Sequence, residues 1–197
     1  MTPDPAAMPP ARHPLAVPVV TLLAAAGVIL DQATKLVAER ILDPGVFVPL
    51  LGDGVGWQLI GNPGAAFGMP VPAPLFLVVT ALVVFIVVRS LRTTASLLQA
   101  SAYGLLLAGA VGNLIDRVLR AGEGFLSGEV VDFVAWGSFP RFNVADSWIT
   151  VGFALLVIAL LIEDRRVAAA ERAAAEADAA SASTADGTAE AHRTEGT

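Results

Sequence analysis

The chain has no cysteine, only two histidines and few charges for its 197 residues. Each shortage removes a class of chemistry. Without cysteine there is no disulfide, no thiol nucleophile and no cysteine-based metal site. His13 and His192 both lie in terminal stretches, so neither a Ser-His-Asp triad nor an HExxH zinc site fits inside the folded body. Charged residues make up 15% of the chain, against the roughly 25% usual in soluble domains. The net charge of −6 is concentrated at the end, where residues 163–197 hold eight acids against four bases. No basic surface suited to nucleic acid remains. An enzyme built this way works with carboxylates, amides, and Arg or Lys.

What the chain has in excess is apolar: 55% hydrophobic residues and a mean hydropathy of +0.70. These residues are clustered, which points to an integral membrane protein with one compact domain. Residues 1–14 are rich in Pro and Ala and read as a disordered tail. The run Leu15–Leu30 is shorter than the about 20 residues of a span, so the first helix is expected to continue through Asp31 and Lys35 to Arg40. A cleaved signal peptide ending at Ala24-Ala25-Ala26 is the rival reading. The unbroken pattern up to Arg40 disfavours it. Residues 43–72 change character: VFVPLL, GDG and VGWQLIGN predict two short strands around a glycine turn, followed by NPGAAFG.

A second helix is expected over Leu75–Val88, a third from Leu97 through Asp116 and Arg117, and a fourth from Val144 to Ile162. Residues 118–143 read as a loop, and 164–197 as an Ala/Glu-rich tail, disordered towards its end. The fold expected is thus an all-α membrane protein, four transmembrane helices over 15–163 with a small extramembrane β-hairpin or sheet between helices 1 and 2. Four spans put both termini on one side. Basic residues flank the two faces equally, and discounting Lys35 and Arg117 as site residues tilts the termini to the cytoplasm.

In an up-down bundle, the ends of helices 1 and 3 and the starts of 2 and 4 share one face. That face collects Asp31, Lys35, Asn113, Asp116, Arg117, Asp132, Asp146 and the NPGAAFG loop. Each has a plain reading as well. Asp31 and Lys35 have the spacing of a helical ion pair, or Lys35 snorkels; Asn62-Pro63-Gly64 makes a turn; Asn143 or Asp146 caps helix 4. Phe133, Trp136, Phe139, Phe142 and Trp148 suit an interfacial aromatic belt. Ionisable residues inside spans are costly, however, and their convergence points to function. Two carboxylates held close share one proton, so one can activate water while the other protonates a leaving group. A proton-coupled transporter using the same carboxylates is the alternative. It lacks a polar path, since the middles of helices 2 and 4 carry no charge.

The blocks DQATK (31–35), NPGAAFG (62–68), GNLIDR (112–117), VVDF (130–133) and FNVADSWI (142–149), in this order across four apolar runs, resemble the lipoprotein signal peptidases. This is the signal peptidase II family of bacterial inner-membrane aspartic proteases. The resemblance implies cleavage of diacylglyceryl-modified prolipoproteins just before the lipidated cysteine. It places catalysis on Asp132 and Asp146, and substrate binding on Asp31, Lys35, Asn62, Gly64, Asn113, Arg117 and Asn143, with Asp116 in support. It also implies an extracytoplasmic β-cradle between helices 1 and 2, a surface helix or lid after helix 3 within 118–143, a site facing outward and cytoplasmic termini. The expected partners are lipid-modified signal peptides and membrane lipid, with no metal or cofactor and a monomeric enzyme. AGEGFLSGE, between Arg117 and Asp132, is longer than the family pattern leads one to expect.

Overall fold

The structure, a computed structural model, describes residues 12–64, 72–120, 124 and 126–194, those beyond 176 by backbone alone. It contains two units, residues 1–156 and 157–197. The first holds the bundle, the sheet and all the polar residues singled out above. Helix α1 runs Ala16–Ile41. Pro18 sits in its first turn, where a missing N–H costs nothing, and the chain turns extended at Leu42, two residues before Pro44.

Helix α2 runs Ala73–Ser90 with Pro74 in its first turn. Helix α3, Leu97–Leu119, begins at an N-cap, the Ser96 hydroxyl accepting from the Gln99 N–H at 3.1 Å. Helix α4 starts at Val144 and continues to Thr194. The disordered end expected within 164–197 is thus helical through Thr194, in keeping with a composition rich in Ala and Glu.

Among the described residues, three helices are long and apolar enough to cross a membrane: Ala16–Ile41, Leu97–Leu119 and Val144–Glu176. The stretch Pro74–Ser90 of α2 is equally apolar but shorter; its 18-residue helix reaches about 27 Å, just under a typical hydrocarbon core. Four spans are therefore an expectation that length alone meets for three.

α1 and α3 approach closely because glycines face side chains across them. A Cβ on Gly104 would lie 2.7 Å from Leu23 Cβ and 3.1 Å from the Val20 carbonyl. A Cβ on Gly27 would meet that of Ala108 at 2.5 Å. Beside this contact Ala16, Val20, Val87, Ala100 and Tyr103 form a core joining α1, α2 and α3. We expect Gly104→Ala to destabilise the protein by about 1–3 kcal/mol, read as a lower midpoint in detergent-solubilised thermal unfolding. Gly54, with open space where its Cβ would be, should accept Ala without a shift. Equal midpoints for the two variants would show that the helices can part freely.

The sheet is larger than two strands. β1 (Phe47–Leu51), β2 (Val55–Asn62), β3 (Val130–Trp136) and β4 (Phe139–Phe142) form one antiparallel sheet in that order. The expected hairpin is β1–β2. The expectation of a loop or lid over 118–143 is corrected for its second half, which supplies β3 and β4. VVDFVAW is rich in residues that favour strands, and the left-handed Gly137 (φ 52°) allows the turn to β4. What local sequence does not display is the partner: β3 pairs with β2, about 70 positions earlier, aligning Ile60 with Asp132 and Asn62 with Val130. Val131 and Phe133 point to the other face, packing with Ala38 of α1 and with Leu42, Trp57 and Leu59. Strand alternation then turns Asp132 the opposite way. Of the disordered tail expected over 1–14, only 12–14 fall among the described residues, and 65–68 of the NPGAAFG block lie outside them.

Candidate active site

Asp132 and Asp146 are brought together by one residue, Asn143. Its side-chain amide donates to Asp132 Oδ1 at 2.7 Å, and its backbone N–H donates to Asp146 Oδ2 at 3.1 Å. Asn143 Oδ1 in turn accepts from the Asp146 N–H at 3.0 Å. Asn143 and Asp146 are therefore the two halves of a capping box at the start of α4. The plain reading of both as caps and their gathering with Asp132 hold at once.

The other carboxylate oxygens are held by amides from neighbouring elements. Asn62, the last residue of β2, donates to Asp132 Oδ2 at 2.8 Å; Asn113 of α3 donates to Asp146 Oδ1 at 2.9 Å. Asn62 Oδ1 accepts from the Gly64 N–H at 3.0 Å, which closes the turn expected of Asn62-Pro63-Gly64 and fixes the amide's orientation. Asp132 is buried, and burial pushes its carboxyl up to about 6. The negative Asp146 nearby adds to the rise, while the bonds from Asn62 and Asn143 oppose it.

Behind the dyad lies a closed ionic cluster. Lys35 Nζ has three donors and three acceptors: Asp116 Oδ2 at 2.7 Å, Asp31 Oδ2 at 2.8 Å and Asn113 Oδ1 at 3.0 Å. Lys35, Asp31 and Asp116 are wholly buried. The i,i+4 pair expected of Asp31 and Lys35 is present, and Lys35 does not snorkel. Asp31 Oδ1 also accepts from the Ala145 N–H at 2.9 Å, adding an acceptor to the start of α4. Asp116 accepts from the Val131 N–H at 3.2 Å and bonds Arg120, so it fastens α3 to the strand that carries Asp132. In this arrangement Asp31 and Lys35 bear on the dyad through Asn113, through the α4 N-terminus and through Asp116, which holds the strand of Asp132.

Arg117 is placed differently. Its guanidinium donates to the Gly64 carbonyl at 2.7 Å and the Gly128 carbonyl at 3.4 Å, and lies 3.4 Å over the Phe76 ring of α2. It fastens the turn after Asn62 to the segment leading into β3.

Two contributors escaped the sequence reading. Gln32 donates to Asp116 Oδ1 at 3.0 Å, to Asp31 Oδ2 at 3.1 Å and to the Gly112 carbonyl at 3.1 Å. Arg120 links Asp116 to Glu39, with both nitrogen–oxygen distances to Glu39 at 3.0 Å. Arg120 stands four residues after Asp116, a spacing that does signal a helical ion pair. Gln32 had no signal beyond its place inside DQATK. Among the described residues no cluster of His, Cys, Asp and Glu is arranged to hold a metal.

A prediction follows from the Asn62 bond. Because that bond favours ionised Asp132, Asn62→Ala should raise the carboxyl further. The limb of the pH–rate profile near 6 should then move to higher pH, by a few tenths to about one unit. The check is kcat/KM against pH for both proteins. A limb that stays put or moves down excludes Asp132 as its source.

Comparison with known proteins gives a consistent result. A family described as Signal peptidase (SPase) II matches residues 23–162. A lipoprotein signal peptidase of Rhodococcus jostii (strain RHA1) is 48% identical over 144 residues, covering 72% of each chain. One from Mycobacterium tuberculosis (strain H37Rv) is 45% identical over 141 residues, covering 70% of this chain and 69% of the relative. A solved bacterial membrane enzyme superposes with a TM-score of 0.67 at 33% identity, covering 78% of this chain and 93% of that one. A second solved bacterial membrane enzyme gives 0.64 at 34% identity, with 77% and 96% covered.

Proposed function

The chain belongs to the signal peptidase II family, and we propose that it is a membrane aspartic endopeptidase that removes the signal peptide from diacylglyceryl-modified prolipoproteins. Cleavage falls on the N-terminal side of the lipidated cysteine. The observation that carries the proposal is the joint grip of Asn143 on both carboxylates. It fixes an acid–base pair whose buried member, Asp132, keeps its proton into the mildly acidic range.

The reaction uses that pair and a water molecule. The ionised carboxylate takes a proton from water as its oxygen attacks the scissile carbonyl carbon. The protonated carboxyl donates a hydrogen bond to the carbonyl oxygen, which gains the negative charge of the tetrahedral intermediate. Collapse restores the carbonyl and breaks the C–N bond, and the leaving nitrogen takes a proton from the dyad. Neither aspartate is assigned to a single role, because either member of an interacting pair can serve as acid or base. The reaction takes no metal and no cofactor.

Asn62, Gly64, Asn113, Arg117 and Asn143 line or brace the substrate's path. Asp31, Lys35 and Asp116 hold that lining in place. In this proposal α2 is the fourth span, its shortfall made up by local thinning of the bilayer. The protein is a monomer of the bacterial inner membrane, with the site at the extracytoplasmic face and both termini cytoplasmic.

The test is cleavage of a synthetic precursor peptide whose cysteine carries diacylglyceryl, beside the same peptide unmodified. Mass spectrometry should find a new N-terminus at the modified cysteine and no cut in the unmodified peptide. Indifference to the lipid would remove the substrate assignment, and failure on both peptides would remove the peptidase assignment.

A further inference from the structure

The end of the sheet beyond Asp132 along β3 is an apolar tip that the peptidase reaction does not use. Two turns meet there. The β1–β2 turn at Gly52–Gly54 and the β3–β4 turn at Gly137 are joined by a hydrogen bond from the Gly137 N–H to the Gly54 carbonyl. Around the joined turns Leu50, Leu51, Trp136 and Phe139 are 59%, 72%, 66% and 54% exposed. We propose that this double turn dips into the headgroup region of the bilayer that the helices span, and holds the sheet against the membrane.

Three observations favour lipid as the occupant. First, the patch is continuous with surface that must face the membrane. Ile41 ends α1 exposed, and Val46 and Val48 carry the exposed apolar surface along β1 to Leu50 and Leu51. Second, the composition fits an interface: an aromatic pair and two leucines over a turn whose apex carries the single acid Asp53. Trp is enriched at that level of a bilayer, and the Asp53 charge limits the depth to the headgroups. Third, both edge strands carry a proline, Pro49 in β1 and Pro140 in β4. Proline removes the N–H that an added strand would need, so edge-to-edge pairing with a second copy is disfavoured.

The consequence for the site is geometric. Trp136 ends β3 four residues after Asp132, or about 13 Å along the strand. Anchoring the turn fixes the depth of Asp132 relative to the lipid surface. On the reading above, that is the level at which a diacylglyceryl cysteine presents its peptide bond.

The absence of cysteine makes the test direct. Leu51→Cys and Trp136→Cys, each carrying one nitroxide, are placed in phosphatidylcholine/phosphatidylglycerol vesicles beside Ser127→Cys, an exposed polar position on the α3–β3 segment. The two tip labels should be at least about threefold less accessible to a water-soluble nickel chelate than the label at 127, and more accessible to oxygen. Val48→Cys replaces Trp136→Cys if the latter does not fold. Nickel access equal to that at 127 would overturn the proposal. So would spin–spin broadening that grows with protein density in the membrane, because it would put a second copy on the patch. No cleavage is read, so the outcome does not depend on the peptidase assignment.

Discussion

Asp132→Asn and Asp146→Asn should each lower kcat/KM for the lipidated peptide by roughly 10³-fold or more, with the thermal midpoint changed little. Asparagine keeps the size and one acceptor oxygen, so Asp146→Asn can still accept the Asn143 N–H and preserve the cap on α4. What it loses is the capacity to cycle a proton. At position 132 the neutral amide relieves a buried charge, but its NH2 faces one of the two amide donors, Asn62 or Asn143, so the two effects oppose each other. The double variant should be no worse than either single one, because the two groups act as a unit. Multiplicative losses would mean that the aspartates serve separate steps. Full activity in either single variant would sink the dyad.

The second large effect is on stability. Lys35→Met keeps the length of the side chain and removes the ammonium that satisfies Asp31, Asp116 and Asn113. Breaking a buried pair from one side leaves charge uncompensated and costs about 3–5 kcal/mol. Both carboxylates retain Gln32, but Asp116 also retains the cation Arg120, so the larger share of the penalty should come from Asp31. Lys35→Met combined with Asp31→Asn should therefore recover part of the loss, which a double-mutant cycle on denaturation midpoints will show. Activity should fall as well, since Asn113 Oδ1 loses one of the two donors, Lys35 and Asn143, that orient its amide towards Asp146. An unaltered midpoint in the single variant would mean that Lys35 is not the centre of this cluster.

The sequence made some of this visible and hid the rest, for physical reasons. The helices could be read from their apolar runs, and α1, α3 and α4 begin within a residue or two of where those runs put them. The convergence of polar residues followed from topology alone, because antiparallel spans gather alternate ends. β3 and β4 were hidden because a strand that pairs with a segment some 70 positions away carries no local mark of it. Residues 130–136 therefore looked like loop. The same limit applies to the substrate-binding residues taken from the resemblance. A motif names Asp31 and Lys35 but does not say that both are enclosed behind the surface of the site. Gln32 shows the reverse case. Its neutral amide joins three acceptors that no charge pattern would have gathered.

The capping box at Asn143 ties catalysis to the fraying of a helix. The residue that begins α4 is also the one that spaces the two carboxylates. Any opening of the first turn of α4 therefore separates the acid from the base. Local openings of this kind set the hydrogen-exchange rates of the amides involved. Protection of the Ala145 and Asp146 amides, held by Asp31 and Asn143, should thus track the fraction of molecules able to react. A substitution that loosens that turn would lower activity while leaving the rest of the bundle protected.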